Sequence, residues 1–276
     1  GGSKLLVGIG LRLTQGQKGG SAKAAVIASS LMGTVSGSAV ANVAATGVFT
    51  IPLMKQDGYD KETAGATEAI ASTGGQLMPP IMGISAFIMA EFLGVPYLRI
   101  ALAGLIPALL FYISLFLLID FRARVEGRRT IRFFSQENSP KKLMYFAHLF
   151  IPLFVIVFYI IRGYSPTMAA FYGSIAGIVV SFFRKKTRLN FSKLIQMINS
   201  IGQQAASIVI PIASIGIIVG VAIQSNLALK FSSRLLQISG GSLTLSLIFI
   251  IIGCIILGMG LPTVAAYILS AVFFVS

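Results

Sequence analysis

Two long apolar segments of the chain are interrupted by the same kind of helix-breaking cluster. The clusters are Gly74-Gly75-Gln76-Leu77-Met78-Pro79-Pro80 and Gly258-Met259-Gly260-Leu261-Pro262-Thr263. Each follows a Ser/Asn-containing cluster at nearly the same distance, 37 positions from Asn42 to Pro79 and 36 from Asn226 to Pro262. Glycine and proline stop helices, and unwound backbone inside a membrane is tolerated only where it lines a cavity. Paired interruptions of this kind mark the binding site of an ion-coupled secondary transporter.

The composition indicates a membrane protein. Only 11% of the residues are charged, 55% are hydrophobic and the mean hydropathy is +0.88. A chain of 276 residues with so few charges cannot cover a water-facing surface, so we expect it to be embedded in a lipid bilayer.

The net charge of +14 does not indicate a nucleic-acid partner, because the basic residues lie in gaps between apolar runs rather than on one binding face. The positive-inside rule places both basic blocks in the cytoplasm. The first block contains Arg122, Arg124, Arg128, Arg129, Arg132, Lys141 and Lys142, and the second contains Arg184, Lys185, Lys186, Arg188 and Lys193.

The apolar runs give the order of membrane segments. Leu143 to Ile161 and Thr167 to Phe183 are each predicted to cross the bilayer once, as is Ile100 to Ile119. The segment from Thr63 to Leu93 would be about 46 Å long as one straight helix, too long for a single crossing. We therefore expect the Gly-Gly/Pro-Pro cluster to divide it into two half-helices.

Residues Ser21 to Leu53 read as a re-entrant hairpin. The polar middle, Gly33 to Asn42, has moderately apolar arms of about 12 residues, each too short to span. A weaker counterpart runs from Ser207 to Gln237 with its tip at Gln224-Ser225-Asn226. Residues 190–206 must cross once or lie along the interface, and the pattern leaves both open. The fold class predicted is an all-α polytopic membrane protein with two inverted-topology repeats, each holding a re-entrant hairpin and a broken helix.

The two polar clusters are suited to sodium. A hard monovalent cation needs several oxygen ligands, which helix-end carbonyls and Ser, Thr and Asn side chains supply. The predicted ligands are Ser36, Ser38, Asn42, Thr73 and Gly74 in the first half, and Ser225, Asn226, Gly258, Gly260 and Thr263 in the second. The alternative is that these small residues only permit close helix packing. Glu68 lies near the first break, and its role, functional or structural, is left open.

Substrate is expected at the same unwound segments, at Gly37, Gly75, Gln76, Pro79 and Pro262. Between Thr63 and Ile119 the only basic residue is Arg99. If the substrate is an anion, its charge would therefore be balanced by co-bound cations and by the positive ends of half-helices beginning near Gly75 and Pro262.

Enzymatic functions are disfavoured, and no cofactor other than the coupling ion is expected. The sequence has no phosphate-binding G-x-x-x-x-G-K-[ST] loop, and a single histidine and a single cysteine exclude an H-E-x-x-H motif and a multi-cysteine metal site. An intramembrane protease would need His148, beside a basic loop, to reach Ser36 in the middle of the bilayer. The serious alternative is an ion channel with re-entrant loops, which needs only one pore-lining loop per subunit.

Several strings resemble one transporter family. They are the run from Ala22 to Asn42 ending in SGSAVAN, Ile51-Pro52-Leu53-Met54, Gly58-Tyr59, Ser72-Thr73-Gly74-Gly75-Gln76 to Pro80, and Gly258 to Thr263. Together they look like the large permease subunit of tripartite ATP-independent periplasmic (TRAP) transporters. The likeness is closest to the branch with fused small and large permease subunits and a TAXI-type receptor. The chain departs from it at Ser225-Asn226-Leu227, where the branch usually has Thr-Gly-Leu.

The resemblance implies an elevator-type symporter that takes an organic anion, expected to be a carboxylate, together with sodium. It also implies three partners or surroundings: a TAXI-type extracytoplasmic solute-binding protein, a small permease portion and a bacterial or archaeal cytoplasmic membrane. The expected organisation is a first repeat at 1–120, a basic cytoplasmic loop at 121–142 and a second repeat at 143–276. Scaffold helices upstream and at least one span downstream of this fragment are expected by the same resemblance.

Overall fold

The protein was analysed as a computed structural model that describes residues 2–128, 147–183, 190–259, 261 and 263–274. Within these residues all regular secondary structure is helical. The α-helices are α1 Gly2–Leu13, α2 Gly20–Ser36, α3 Ala39–Gln56, α4 Lys61–Gly74, α5 Ile84–Leu93, α6 Tyr97–Val125, α7 Ile151–Ile161, α8 Pro166–Ser181, α9 Phe191–Gln224, α10 Leu227–Ile238, α11 Leu243–Gly258 and α12 Thr263–Phe274, with 3₁₀ turns at Gly75–Leu77 and Ala147–Phe150.

The chain forms two compact units, Gly1–Leu189 and Asn190–Ser276. In the first unit, α2 lies at the centre and packs against α1, α3, α4 and α6. Small residues let these backbones approach closely, since a Cβ added at Gly10 would lie 2.5 Å from the carbonyl oxygen of Ala24.

The hairpin predicted between Ser21 and Leu53 is present as α2 and α3, but its break is shorter than expected. Helix α2 ends at Gly37, which adopts φ +60°, and Ser38 begins α3 by accepting a hydrogen bond from the backbone N–H of Ala41. Thr34 fits inside α2 because its hydroxyl donates to the carbonyl of Leu31 in the preceding turn. The unwound tip is thus two residues long, and the helices of 17 and 18 residues are longer than the predicted arms.

The broken helix predicted between Thr63 and Leu93 is confirmed. Helix α4 ends at Gly74, the 3₁₀ turn follows directly, and α5 begins only at Ile84. The peptide bond between Pro79 and Pro80 is cis. The break therefore covers the whole Gly-Gly/Pro-Pro cluster.

Helix α6 has 29 residues and is the one helix among the described residues long and apolar enough to cross a membrane. Three side chains along one part of it, Leu102, Ile106 and Leu110, are 60%, 67% and 60% exposed. Such a row of exposed leucine and isoleucine is suited to lipid.

The predicted crossing from Leu143 to Ile161 contains a shorter α-helix than expected, and its passage through the bilayer stays a prediction. Residues 143–146 lie outside the described residues, Ala147–Phe150 is a 3₁₀ turn, and α7 has only 11 residues. Pro152 in the first turn explains the start, because proline favours the first helical positions and cannot continue an earlier helix. The next helix, α8, has bounds that agree closely with the predicted apolar run from Thr167 to Phe183.

Helices α7 and α8 pack against each other and join the first unit. Ile160 and Ala169 share a buried cluster with Met82 and Ala86, on the far side of the break. The proposed repeat boundaries at 1–120, 121–142 and 143–276 stay a prediction.

The second unit contains a helix pair, α9 and α10, and an interrupted pair, α11 and α12. Helix α9 includes residues 191–206, whose course the sequence left open, in one helix of 34 residues. Ser225-Asn226 separates it from α10, with Asn226 at φ +52°, as the predicted second tip requires. Helix α12 contacts α9, α10 and α11, and Ala265 and Leu269 form its buried core.

Candidate functional site

The hairpin tip and the helix break of the first unit lie against each other. A Cβ added at Gly33 on α2 would lie 2.4 Å from the Cα of Gly75, so the two backbones touch. At the tip, a Cβ on Gly37 would lie 2.0 Å from the carbonyl oxygen of Met82. Only glycine, which has no Cβ, permits either approach, and this explains why glycine occupies positions 33 and 37.

Asn42 joins the three helices at this junction. Its side chain is completely buried, and its amide nitrogen donates to the carbonyl of Ser29 on α2 at 2.9 Å and of Ser72 on α4 at 3.4 Å. A Cβ on Gly75 would lie 2.8 Å from the same nitrogen. The predicted meeting of Asn42 with the first break is therefore present in the structure.

Four helix ends surround the junction. Helices α2 and α4 end there, and the negative ends of their dipoles favour a cation. Helices α3 and α5 begin there, and their N–H groups favour an anion. The sequence placed the positive end near Gly75, which is wrong: Gly75–Leu77 continues α4 as a 3₁₀ turn, and the second half-helix begins at Ile84.

The other predicted first-half ligands take different positions. Ser36 lies at the end of α2 with its hydroxyl 3.5 Å from the carbonyl of Ser38, whose own hydroxyl caps α3. Thr73 is exposed and donates to the carbonyl of Ala69 at 2.7 Å, so the structure does not bring it to Asn42. A Cβ added at buried Gly74 would meet the ring of Phe111, which identifies a close contact with α6.

Two of the predicted substrate residues shape the break itself. The carbonyl of Gln76 accepts the N–H of Gly83 at 2.7 Å, which closes the loop across the break. Pro79 precedes the carbonyl of Pro80, to which the hydroxyl of Tyr97 donates at 3.0 Å. Both residues are half-buried and lie between the two half-helices.

The predicted residues of the second half are exposed within their own unit. Ser225 donates to the carbonyl of Val221 at 2.7 Å, and Asn226 stands at the start of α10. Gly258 ends α11 and Thr263 begins α12. Gly260 and Pro262 lie outside the described residues. A second ion site built from this half stays a prediction.

Sequence reasoning missed a buried hydroxyl cluster one to two helical turns away from Asn42. Its centre is Glu68, which is completely buried. Four hydroxyls contact the carboxylate: Ser29 and Ser72 lie 3.3 and 3.2 Å from Oε1, Thr50 lies 2.5 Å from Oε2, and Thr46 also bonds Oε1. The signal was the spacing of four between Thr46 and Thr50 and between Glu68 and Ser72, which puts each pair on one helix face.

The whole chain, residues 1–276, matches the family described as "Tripartite ATP-independent periplasmic transporter, DctM component". It is 25% identical over 185 residues to a putative TRAP transporter large permease protein of Haemophilus influenzae, covering 66% of this chain and 42% of the relative. It is 34% identical over 110 residues to the C4-dicarboxylate TRAP transporter large permease protein DctM of Vibrio cholerae, covering 40% of this chain and 24% of the relative.

A third relative is the 2,3-diketo-L-gulonate TRAP transporter large permease protein YiaN of Escherichia coli, 26% identical over 183 residues, or 64% of this chain and 43% of the relative. The chain thus spans less than half the length of the relatives it matches. Membership in a family of transporter components, and not of enzymes, agrees with the sequence prediction. The chain belongs to the DctM component family of TRAP transporters.

Proposed function

We propose that this chain forms part of the permease of a sodium-coupled symporter for an organic acid anion. The observation that carries the proposal is the junction of Gly33, Asn42 and Gly75, where a hairpin tip and a helix break bring four helix ends together. Unwound backbone of this kind holds ions and substrate in secondary transporters.

Sodium is proposed to bind on the side of the junction formed by the ends of α2 and α4. Helix-end carbonyls and the side-chain oxygen of Asn42 would be its ligands, because a hard cation prefers several neutral oxygens. Binding there would place a positive charge where two negative helix ends already point.

The anion is proposed to bind on the side of the beginnings of α3 and α5. Arg99, the sole basic residue between Thr63 and Ile119, is exposed at the start of α6 and offers no buried partner. Since an uncompensated buried charge costs on the order of several kcal/mol, the anion needs the bound sodium and the helix N-termini. The relatives named for C4-dicarboxylate and for 2,3-diketo-L-gulonate support an organic acid as the substrate class.

The proposed partners are an extracytoplasmic solute-binding protein of the TAXI type and a small permease portion, fused or separate. The proposed location is the cytoplasmic membrane of a bacterium or archaeon, crossed several times. Family membership supports a solute-binding protein, a small permease portion and a membrane location, and the exposed apolar face of α6 supports the membrane location; the TAXI type is proposed from the sequence resemblance.

The test is uptake by the full-length transporter in proteoliposomes with its receptor. Replacing sodium by potassium at a fixed proton gradient should abolish uptake, and saturation with counterflow should distinguish a carrier from a channel. Undiminished uptake in potassium would contradict sodium coupling.

Asn42→Ala tests the site itself and is compared with Asn199→Ala, which removes an exposed asparagine of α9. Asn42→Ala should raise the sodium concentration for half-maximal uptake about tenfold or more, since loss of one ligand interaction of about 1.4 kcal/mol is a factor of ten. If Asn42 only packs the helices, abundance falls while the sodium dependence of the remaining protein is unchanged.

A further inference from the structure

Glu68 is a carboxyl group inside the helix bundle that the sodium and substrate assignments do not use. Its side chain has no exposed surface. Within the described residues no basic side chain forms an ion pair with it, and its described polar partners are the hydroxyls of Ser29, Thr46, Thr50 and Ser72. A charge in such a place is expensive unless it can be neutralised.

Charged groups on the three helices around Glu68 are engaged elsewhere or lie far along the helix axis. On α2, Lys23 bonds Asp120 and is six residues, about 9 Å, from Ser29. Beyond the end of α3, Asp57 accepts a hydrogen bond from Ser21. On α4, Lys61 and Glu62 are exposed and lie seven and six residues before Glu68, and on α3 Lys55 is exposed five residues beyond Thr50.

Each hydroxyl around Glu68 has a second acceptor within reach. Thr46 lies 2.8 Å from the carbonyl of Asn42, and Thr50 lies 3.0 Å from the carbonyl of Thr46. Ser72 lies 3.5 Å from the hydroxyl of Ser29, and Ser29 lies 3.4 Å from that of Thr46.

These alternatives allow the cluster to accept both forms of the carboxyl. When Glu68 is ionised, the hydroxyls can donate to its two oxygens. When it is protonated, it can donate to Thr50, while the hydrogen of Thr50 turns to the carbonyl of Thr46. Rotation of hydroxyls alone therefore lets the same helix packing hold either form of the carboxyl.

We propose that Glu68 is a proton-binding site among helices α2, α3 and α4, distinct from the sodium site at Asn42. A proton from water forms an O–H bond with the carboxylate when the bundle is open to one side, and the carboxyl returns it to water when the bundle opens to the other. The neutral form is the one carried through the closed state, because it leaves no unpaired charge among α2, α3 and α4. This inference rests on the proposed transport function, although not on sodium as the coupling ion.

The test is infrared difference spectroscopy between acidic and neutral buffers on the full-length protein in lipid, in potassium without sodium. We expect a carboxylic acid C=O band that shifts in D₂O, is lost in Glu68→Gln and is retained in Glu62→Gln, the matched change at an exposed position of the same helix. The same pH difference spectrum in wild type and Glu68→Gln would overturn the proposal. If Glu68→Gln does not assemble, Glu68→Asp should alter the frequency of the band, and an unaltered band would equally overturn the proposal.

The rise in melting temperature on adding sodium tests whether the proton site and the sodium site are separate. It should persist in Glu68→Gln if the ions bind separately, and its loss there would identify Glu68 as a sodium ligand and overturn the proposal. Wild type that shows the Glu68 band but no response to sodium would support the proton site and remove the sodium assignment. The failures of the two proposals are therefore distinguishable.

Discussion

The ammonium nitrogen of Lys23 lies 2.6 Å from Oδ1 of Asp120, although the two residues are 97 positions apart in the chain. The side chain of Lys23 is only 3% exposed, and its nitrogen also donates to Gln17 at 3.1 Å. This ion pair fixes the first helix of the hairpin to the end of α6. It thereby ties the start of α2, whose other end forms the junction, to α6.

Lys23→Met should lower the melting temperature far more than Lys18→Met, which removes an exposed lysine nearby. The reason is that removing one partner leaves Asp120 with only its exposed partner Arg124. Thermal unfolding in detergent measures the difference. Restoration in the double variant Lys23→Met/Asp120→Leu would support the ion pair as the cause, and equal effects of both lysine changes would contradict it.

The contact between Gly33 and Gly75 predicts opposite effects for two glycine-to-alanine changes. Gly33→Ala would put a methyl 2.4 Å from the Cα of Gly75, so the helices must separate at a cost of about 1–3 kcal/mol. Gly65→Ala on α4 meets no atom within 4 Å and should stabilise by about 0.5–1 kcal/mol through helix propensity. Equilibrium unfolding of both variants is the measurement. A stabilised Gly33→Ala would mean that the backbones are not in contact.

The junction was largely predictable from sequence because its parts are local signals. Glycine and proline stop helices wherever they stand, so the break near Gly75 and the tip at Gly37 follow from residue type. The surroundings of Glu68 were not predictable, because its partners come from three helices and their hydroxyls fit inside helices as well as at ends. For the same reason the unwound tip came out shorter than the polar run from Gly33 to Asn42 suggested.

Topology is tested by cysteine substitution in a Cys254→Ala background, since Cys254 is the one cysteine of this chain. Arg124→Cys, 66% exposed at the end of α6, should be protected from impermeant thiol reagents in intact cells. Arg162→Cys, exposed after α7, should react from outside. Because α7 has only 11 residues, labelling of both positions from the same side is the outcome that would reject the predicted crossing.

The start of α4 should carry a pH-dependent contribution to stability. The backbone N–H of Thr63, 2.8 Å from Oδ2, lowers the pKa of Asp60 below its usual range. A lowered folded-state pKa gives stabilisation that is present above the unfolded value of about 3.9 and is lost as pH falls through the folded value. Asp60→Asn keeps the cap without the charge, so its melting temperature should lack this acid-side component. Parallel pH profiles for both proteins would contradict the assignment.

The break itself is held by the hydroxyl of Tyr112, which donates to the carbonyl of Ala71 at 2.9 Å in a buried position. In an unbroken helix that carbonyl would accept the N–H of Gly75, but here this N–H bonds the carbonyls of Ser72 and Thr73 instead. Tyr112 therefore replaces a backbone donor that the 3₁₀ turn has removed.

Tyr112→Phe leaves the carbonyl of Ala71 buried without this donor and should cost about 1–3 kcal/mol. Tyr164→Phe, at a residue that is 50% exposed, is the matched control and should change stability little. Hydrogen exchange should locate the effect, because amides of the turn at Gly75–Met78 should exchange faster in Tyr112→Phe than in wild type. A loosened break must expose the N–H of Met78, which now bonds the carbonyl of Gly75. Faster exchange along all of α6 with an unaltered turn would show instead that Tyr112 stabilises its own helix.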